Sequence, residues 1–307
     1  MRLLLLVNTS ASSVTARGRV VIQKALAADH DVRVVETSRR GHATRLAMGA
    51  ARSGVEVVVV LGGDGTLNEA ANGLAGTQTA LAVLPGGSTN VFARTIGLAN
   101  DPIEATGQLL AALGRPASVR RIGLASVNGR YFLFNAGVGF DAAVIAQVER
   151  RSGLKRWAGH PLFVYAGFAT WFGHYDRSGP CLTVNFGDES VITDGYFALA
   201  LNSDPYTFLG NRPLHIASEA TFDRAMALAT FRTISFIPFL RIIASSLGYG
   251  RPVREHRQLD LRVDLETFTV RAVGAALPVQ VDGDYIGAFD QAEFAHEPDV
   301  LGVVMPA

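Results

Sequence analysis

The segment Val57-Val58-Val59-Val60-Leu61-Gly62-Gly63-Asp64-Gly65-Thr66 joins a short apolar run to a glycine-rich turn. The β-branched run is typical of a buried parallel strand. Thr66 begins a helical pattern that continues to Leu74, and Thr66 and Glu69 have the spacing of a capping box. Glycine lets a backbone approach an anion closely, and the first N–H groups of a helix point toward it. Strand, turn and helix start together therefore predict a phosphate-binding turn.

Asp64 lies among these glycines and makes the prediction more specific. A carboxylate repels a phosphate unless a cation or a substrate hydroxyl lies between them. We therefore expect a site for a nucleotide with Mg²⁺, and Asp64 is the candidate for holding the metal or one of its waters. No other cluster of metal-ligating residue types stands out, so the sequence leaves the metal ligands open.

A second glycine turn, Pro85-Gly86-Gly87-Ser88-Thr89-Asn90, follows the next predicted strand. Ligands of open α/β sheets bind outside the carboxyl ends of the strands. We therefore expect the two turns side by side at one edge of the sheet. Asn8 ends the first strand and Thr37 follows the second, so both are expected at the same crevice, although each alone is also typical of a cap or turn residue.

The chain divides by its patterns into two predicted domains. Residues 1–116 alternate strand and helix patterns, which predicts an α/β domain. Beyond 116 the hydrophobic period changes to 2, and Asn128-Gly129 predicts a hairpin, so 117–307 is expected to be β-rich with inserted helices. Whether its C-terminal end packs back on the first domain is left open. The strands predicted in the first domain are 3–7, 31–35, 57–61 and 80–84, and the helices are 16–28, 42–53, 67–74 and 102–113.

The composition is that of a globular protein without a strong overall charge. The 307 residues are 49% apolar and 18% charged, which suffices for two cores. The net charge of +1 gives no argument for nucleic-acid binding. Cys181 is the single cysteine, which excludes an internal disulfide and fits a reducing cytoplasm. We expect no export, because the apolar run at residues 3–7 is too short for a signal-peptide core.

Together these motifs resemble the bacterial diacylglycerol kinase and lipid kinase family, relatives of the sphingosine kinases, and its actinobacterial branch most of all. The resemblance implies an α/β nucleotide-binding domain of the NAD kinase/diacylglycerol kinase type, followed by a β-sandwich lipid domain. It also implies phosphorylation of a lipid hydroxyl by ATP with Mg²⁺, with diacylglycerol as the expected acceptor and phosphatidic acid as the product. The segments that carry the resemblance are 62–69, 85–94, 135–142, 202–210, 220–223 and 280–284.

The resemblance also assigns residues to the site. It places the catalytic base on Asp223, which would receive the proton of the acceptor hydroxyl, beside Asp64 as the second catalytic residue. Asp194-Gly195 looks like the same base motif, but it precedes residues 202–210, whereas the base should follow them; we interpret it as a turn that enters a strand. The implied nucleotide-binding residues are Asn8, Thr37, Gly62, Gly63, Asp64, Gly65, Thr66, Leu67, Asn68, Glu69 and Ser88.

Two segments are candidates for membrane contact. Residues 157–175 lack Asp, Glu, Lys and Arg and are rich in aromatic residues, which fits either a helix buried between domains or an interfacial segment. Between Asp223 and Glu255 there is no acid, and five arginines alternate with apolar residues. This suits an anionic membrane surface or, equally, a core helix with a basic outer face. We expect a cytoplasmic protein, peripheral at the inner face of the membrane, and leave association with a second copy open.

Two other functions are consistent with the sequence. An NAD kinase shares the glycine–aspartate turn and the architecture, although residues 85–90 and the Asp223 segment resemble lipid kinases more. A catalytically weak protein that binds lipid or nucleotide would result if Arg224 met Asp223, because a neighbouring guanidinium lowers the pKa of a base and weakens it.

Overall fold

The structure, a computed structural model, describes residues 1–115, 117–150, 179–187 and 189–306. The chain forms two compact units: Met1–Leu124 with Pro298–Ala307, and Ala125–Glu297. It passes from the first unit to the second within strand β5 (Val119–Val127) and returns within strand β18 (Gln291–Val304). None of the helices in these ranges is long and apolar enough to cross a bilayer.

The first unit contains a parallel sheet in the order β2-β1-β3-β4. Strands β3 and β4 are buried along their whole length, as their apolar runs predict, whereas β2 lies at the edge and is half-exposed. Beyond β4, Val303 of β18 pairs in parallel with Leu81. The four strands are β1 (Arg2–Val7), β2 (Asp31–Glu36), β3 (Val57–Gly62) and β4 (Ala80–Pro85).

Five helices connect and cover these strands. The N-terminus of the fifth helix shows how the sequence fixes a helix boundary. The Asp101 carboxylate accepts from the N–H groups of Ile103 and Glu104, and Pro102 occupies the first turn. The helices are α1 (Ala16–Ala27), α2 (His42–Arg52), α3 (Asp64–Leu74), α4 (Val91–Thr95) and α5 (Pro102–Leu113).

The second unit is a β-sandwich. One sheet has six strands in the order β14-β13-β10-β7-β16-β17, and the other contains β9, β8, β15 and the first part of β18, with β5 and β6 paired to it. Their facing side chains form one core, in which the rings of Phe268 and Phe294 stack 4.5 Å apart. The strands, besides β5 and β18, are β6 (Arg130–Phe132), β7 (Asn135–Gly139), β8 (Leu182–Asn185), β9 (Val191–Gly195), β10 (Phe197–Leu201), β13 (Met226–Phe231), β14 (Leu259–Leu265), β15 (Thr267–Ala272), β16 (Leu277–Val281) and β17 (Asp284–Phe289). A separate hairpin pairs β11 (Thr207–Leu209) with β12 (Arg212–Leu214).

A second apolar cluster covers the outer face of the six-stranded sheet. It includes side chains from helices α6 (Phe140–Arg150) and α7 (Phe236–Ser246). The rings of Phe197 and Phe231 stack 4.0 Å apart on the sheet, and Phe239 of α7 packs edge-on against both. Helix α7 is therefore held by aromatic contacts on one side.

The predicted fold class, an α/β domain followed by a β-sandwich, is confirmed. The Asn128-Gly129 hairpin is also confirmed: both residues have positive φ, 48° and 78°, and Val127 pairs with Arg130. The segment between Asp223 and Glu255 forms the buried strand β13 and then α7. The candidate segment 157–175 lies outside the described residues.

Candidate active site

The two glycine turns lie side by side at the carboxyl edge of the parallel sheet, as predicted. Gly62 and Pro85 are partners in the last register position of β3 and β4, and the Gly86 N–H donates to the Gly62 carbonyl at 2.8 Å. The ends of β1 and β2 share this edge, because Val7 pairs with both Glu36 and Leu61. The two glycine turns and the ends of β1 and β2 therefore lie along one edge of the sheet.

Glycine is required here because the turns touch backbone to backbone. A Cβ on Gly86 would lie 2.9 Å from the Gly62 Cα, and one on Gly87 would lie 2.8 Å from the Gly63 Cα. An added Cβ on Gly63 itself would lie 3.4 Å from the Gly87 Cα, an ordinary contact, so the close approach excludes a side chain at Gly86 and Gly87. The two turns are thus fixed against each other without any side chain between them.

Helix α3 begins at Asp64, three residues before the predicted start at Leu67. Its N-cap is Gly63, which has no side chain to cap the helix. The Thr66 hydroxyl instead accepts from the Asn8 side-chain amide at 2.8 Å, and the Asn8 Oδ1 accepts from the Ser10 N–H at 3.0 Å. Asn8 thus ties the end of β1 to the first turn of α3, whose leading N–H groups have no partner within the helix.

Asp64 is directed at the second turn. Its two carboxylate oxygens accept from the N–H groups of Val91 (3.0 Å) and Phe92 (3.3 Å), the first residues of α4. Desolvation raises the pKa of Asp64, while these N–H groups and the charge of Arg94 act in the opposite direction. Asp64 is therefore held in place by backbone donors, and its two oxygens offer about four acceptor positions, more than these donors occupy.

Glu69 stabilises a different helix from the one that carries it. Its carboxylate accepts from Gly41 N–H at 2.7 Å and Ala43 N–H at 3.1 Å, and its carbonyl accepts from the Thr44 hydroxyl. The proposed capping box of Thr66 and Glu69 is therefore wrong, because Glu69 reaches the exposed N-terminus of α2 instead.

The remaining residues implied for the nucleotide differ in accessibility. Thr37 directly follows β2, where its N–H donates to the Val7 carbonyl at 2.9 Å, and Ser88 is exposed in the second turn. The side chains of Leu67 and Asn68 are buried, at 1% and 0% exposure, so they support the turn from inside the unit.

In the second unit, Asp223 is exposed in the loop before β13. The neighbouring Arg224 forms a two-pronged ion pair with Asp264, with Nε 2.8 Å from Oδ1. Its positive charge is therefore balanced by Asp264. Asp194 and Gly195 are the last two residues of β9, so the interpretation of this pair as a turn is wrong. The Asp194 Oδ1 lies 3.5 Å from the Nε of Arg232.

The second unit also contains an apolar pocket of about 360 Å³ between the six-stranded sheet and α7. Nearly all of its lining is aliphatic or aromatic, and the polar exceptions are Asp141 and Tyr206. The apolar lining comprises Phe140, Val144, Phe197, Leu199, Leu214, Ile216, Phe231, Phe236, Phe239, Leu240, Ile242 and Ile243.

Asp141 belongs to a buried polar network at this pocket that we did not assign from the sequence. It accepts from the Tyr206 hydroxyl and from the Gln280 amide (2.8 Å), and Gln280 also donates to Asn135 (2.8 Å). Burial raises the pKa of Asp141, with the two hydrogen bonds acting in the opposite direction. The available signal was a single acid within the apolar segment 135–142.

No group of three or more His, Cys, Asp or Glu side chains within the described ranges could hold a metal ion. This arrangement is compatible with Mg²⁺ that arrives with a nucleotide, since Mg²⁺ keeps several waters and takes one or two carboxylates beside the phosphates. The free lone pairs of Asp64 fit a hydrogen bond to such a water.

Comparison with known proteins finds matches to the first unit. Residues 2–122 match the diacylglycerol kinase catalytic domain. A diacylglycerol kinase of Bacillus subtilis (strain 168) is 37% identical over 122 residues, which cover 39% of this chain and 39% of that protein. A "probable lipid kinase YegS-like" protein of Pseudomonas aeruginosa PAO1 is 36% identical over 167 residues, covering 54% and 52%. The chain thus spans about two fifths to half of the length of these relatives. The resemblance to the bacterial diacylglycerol kinase and lipid kinase family, which the sequence indicates, is confirmed.

Two solved structures share the fold. A crystal structure of a diacylglycerol kinase from Bacillus anthracis str. Sterne superimposes with a TM-score of 0.71 at 20% identity, covering 99% of this chain and 96% of the other. Yeast NADH kinase in complex with NADH superimposes with a TM-score of 0.51 at 10% identity, covering 99% and 82%. At these identities the similarity establishes the fold alone.

Proposed function

Since residues 2–122 belong to the diacylglycerol kinase catalytic domain family, we propose that the protein is an ATP-dependent lipid kinase. It transfers the γ-phosphoryl group to a lipid hydroxyl, with diacylglycerol as the acceptor and phosphatidic acid as the product. The observation that carries this proposal is the backbone contact between the Gly62-Gly63 and Gly86-Gly87 turns at the carboxyl edge of the sheet.

The first unit binds the nucleotide in this proposal. The glycine turns leave room for phosphate, and the first turn of α3 offers N–H donors and the positive end of its dipole. Asn8, Thr37, Thr66 and Ser88 supply hydroxyl and amide groups around this edge. Mg²⁺ that accompanies ATP would neutralise charge on the phosphates, and Asp64 would be the residue that holds one of its waters.

The second unit binds the lipid. Its pocket of about 360 Å³ presents an almost wholly apolar lining, which suits acyl chains and not a dinucleotide. Each methylene buried there contributes about 0.8 kcal/mol. This lining favours a diacylglycerol-like acceptor over NAD.

Asp223 acts as the general base. The acceptor oxygen attacks the γ-phosphorus, its proton passes to the Asp223 carboxylate, and the bond from the γ-phosphorus to the ADP oxygen breaks. The pairing of Arg224 with Asp264 supports an active base, because the guanidinium is already engaged by another carboxylate. The enzyme works where ATP and the lipid meet, at the cytoplasmic face of a membrane, as a peripheral protein.

An acceptor panel tests the proposal. The purified chain is mixed with ATP, Mg²⁺ and, separately, diacylglycerol, sphingosine or NAD, and ADP release is measured. We expect turnover with diacylglycerol that Asp223→Asn reduces by about 10²–10⁴-fold. Turnover with NAD alone would establish the NAD kinase alternative, and binding of ATP without turnover on any acceptor would establish a non-catalytic protein.

A further inference from the structure

A second concave surface of the Ala125–Glu297 unit lies at the C-terminal half of α7 and the loop that follows it. This cleft has a volume of about 660 Å³ and is lined by residues of 238–258. Three of its lining side chains are Arg241, Arg251 and Arg257, and all three are exposed. The cleft therefore concentrates positive charge on a protein whose net charge is only +1.

These arginines differ from the other basic residues around them. Arg224, Arg232 and Arg254 are engaged by carboxylates. Within the part of the chain that the structure describes, Arg241, Arg251 and Arg257 form no ion pair. Their charge is thus available to an anion from outside the protein.

His256 shows that the charge reaches the inside of the cleft. It is 8% exposed, and its Nε2 lies 2.8 Å from the Ser245 hydroxyl. Its pKa is lowered by burial and by the charges of Arg251 and Arg241, while Glu255 acts in the opposite direction. Two of the three arginines therefore lie close enough to act on one buried ring.

The same helix exposes large apolar side chains. Phe236, Ile237 and Leu240 are 43%, 61% and 44% exposed. Ile237, Leu240 and Arg241 have the i, i+3, i+4 spacing that places residues on one face of a helix. Exposed apolar residues beside free positive charge are typical of segments that lie in the interface of an anionic membrane.

We propose that the cleft binds the phosphate group of an anionic membrane lipid while Phe236, Ile237 and Leu240 enter the interface of the bilayer. The cleft shares no lining residue with the apolar pocket on the sheet, whereas Phe236 and Leu240 also line that pocket. The ligand of the cleft is a lipid of the membrane and not the acceptor. Bidentate donation by guanidinium groups suits a phosphate, and the apolar neighbours require that this phosphate belong to a bilayer surface. The proposal does not depend on phosphoryl transfer.

Binding of the full chain to vesicles, without ATP or diacylglycerol, tests this site. Vesicles of phosphatidylcholine are compared with vesicles that also contain phosphatidylserine, and the bound fraction is measured by co-sedimentation. Arg241→Gln/Arg251→Gln/Arg257→Gln should weaken binding to the anionic vesicles by about two orders of magnitude, in proportion to three surface charges. Added salt should weaken binding of the wild-type chain far more than that of the variant.

A matched control removes the same charge elsewhere. Arg33→Gln/Arg45→Gln/Arg52→Gln changes three exposed arginines of the first unit and should leave vesicle binding within a few-fold of wild type. Equal losses in the two variants would overturn the site, because they would show an effect of net charge alone. Unchanged binding by the folded cleft variant, verified by circular dichroism, would overturn it as well.

Two further arms separate the membrane from a soluble ligand. Ile237→Ser should weaken binding without reducing its sensitivity to salt, since the residue contributes apolar contact and no charge. Inorganic phosphate should not displace the wild-type chain from anionic vesicles when the total ionic strength is held constant. Displacement by phosphate, or no effect of Ile237→Ser, would show that the cleft does not dock on a bilayer.

Discussion

The backbone contact between the two glycine turns predicts that a single methyl group at Gly86 disrupts the site. A Cβ there would lie 2.8 Å from the Val14 Cγ2, 2.9 Å from the Gly62 Cα and 3.0 Å from the Gly62 N. Two of these three neighbours are backbone atoms of a buried strand end, which cannot rotate away. The strands must therefore separate at their carboxyl ends.

The magnitude follows from two contributions. Overpacking against fixed neighbours costs about 1–3 kcal/mol, and weakening the Gly86 N–H bond to the Gly62 carbonyl costs about 0.5–1.5 kcal/mol. We expect Gly86→Ala to lower the free energy of unfolding of the first unit by about 2–4 kcal/mol and to weaken ATP binding.

The assay is urea unfolding together with ATP-analogue titration by calorimetry. Gly49→Ala is the matched control: Gly49 lies within α2, and its added Cβ would have no neighbour within 4 Å. That substitution should stabilise the protein by about 0.5–1 kcal/mol through helix propensity. A Gly86→Ala protein with wild-type stability and ATP affinity would refute the close approach of the turns.

Three other changes test the remaining assignments. Asp64→Asn replaces a carboxylate oxygen with an amide NH₂ group facing the N–H groups that start α4. We therefore expect the free energy of unfolding to fall by about 1–3 kcal/mol and ATP turnover to be lost. A variant with wild-type stability and turnover would contradict the placement of Asp64. Asp223→Asn should reduce turnover by about 10²–10⁴-fold at unchanged ATP affinity, whereas Asp194→Asn should leave turnover nearly intact; the reverse would identify Asp194 as the base. The raised pKa of Asp141 means that the folded protein binds this proton more tightly than the unfolded chain, so stability falls as pH rises from about 3.9 through the folded value. Asp141→Asn should remove this decline in urea unfolding measured across that pH range, and parallel curves for the two proteins would count against it.

The sequence was sufficient for features that depend on one segment at a time. The apolar run at β3, the helix at 102–113 and the Asn128-Gly129 turn each contain their own signal, and each forms as expected. The adjacency of the glycine turns followed from a general property of parallel sheets, since strand ends share one edge.

Features that need a partner from elsewhere in the chain were not predictable. Helix α4 is only five residues long. The N–H group of its first residue, Val91, donates to Asp64, which lies 27 positions earlier in the sequence. Glu69 caps α2 across 28 positions, so its local spacing to Thr66 was misleading. The full length of strand β18 was not predictable either, because Pro298 and Asp299, the latter at φ 52°, interrupt its alternation.

The cleft arginines illustrate the same limit. The acid-free segment suggested five arginines as one group, but Arg224, Arg232 and Arg254 meet carboxylates from distant strands and loops. Arg257, which lies beyond the segment, joins Arg241 and Arg251 instead. The sequence alone does not indicate which of these arginines form ion pairs with carboxylates in the folded chain.

The central claim, transfer of a phosphoryl group to a lipid hydroxyl, is tested most directly by following the γ-phosphate itself. The chain is incubated with γ-labelled ATP, Mg²⁺ and diacylglycerol in mixed micelles, and the lipid phase is analysed for labelled phosphatidic acid. We predict label in phosphatidic acid with the wild-type chain and a loss of about 10²–10⁴-fold with Asp223→Asn. Label that appears only as inorganic phosphate, or not in the lipid at all while ATP remains bound, would contradict the assignment.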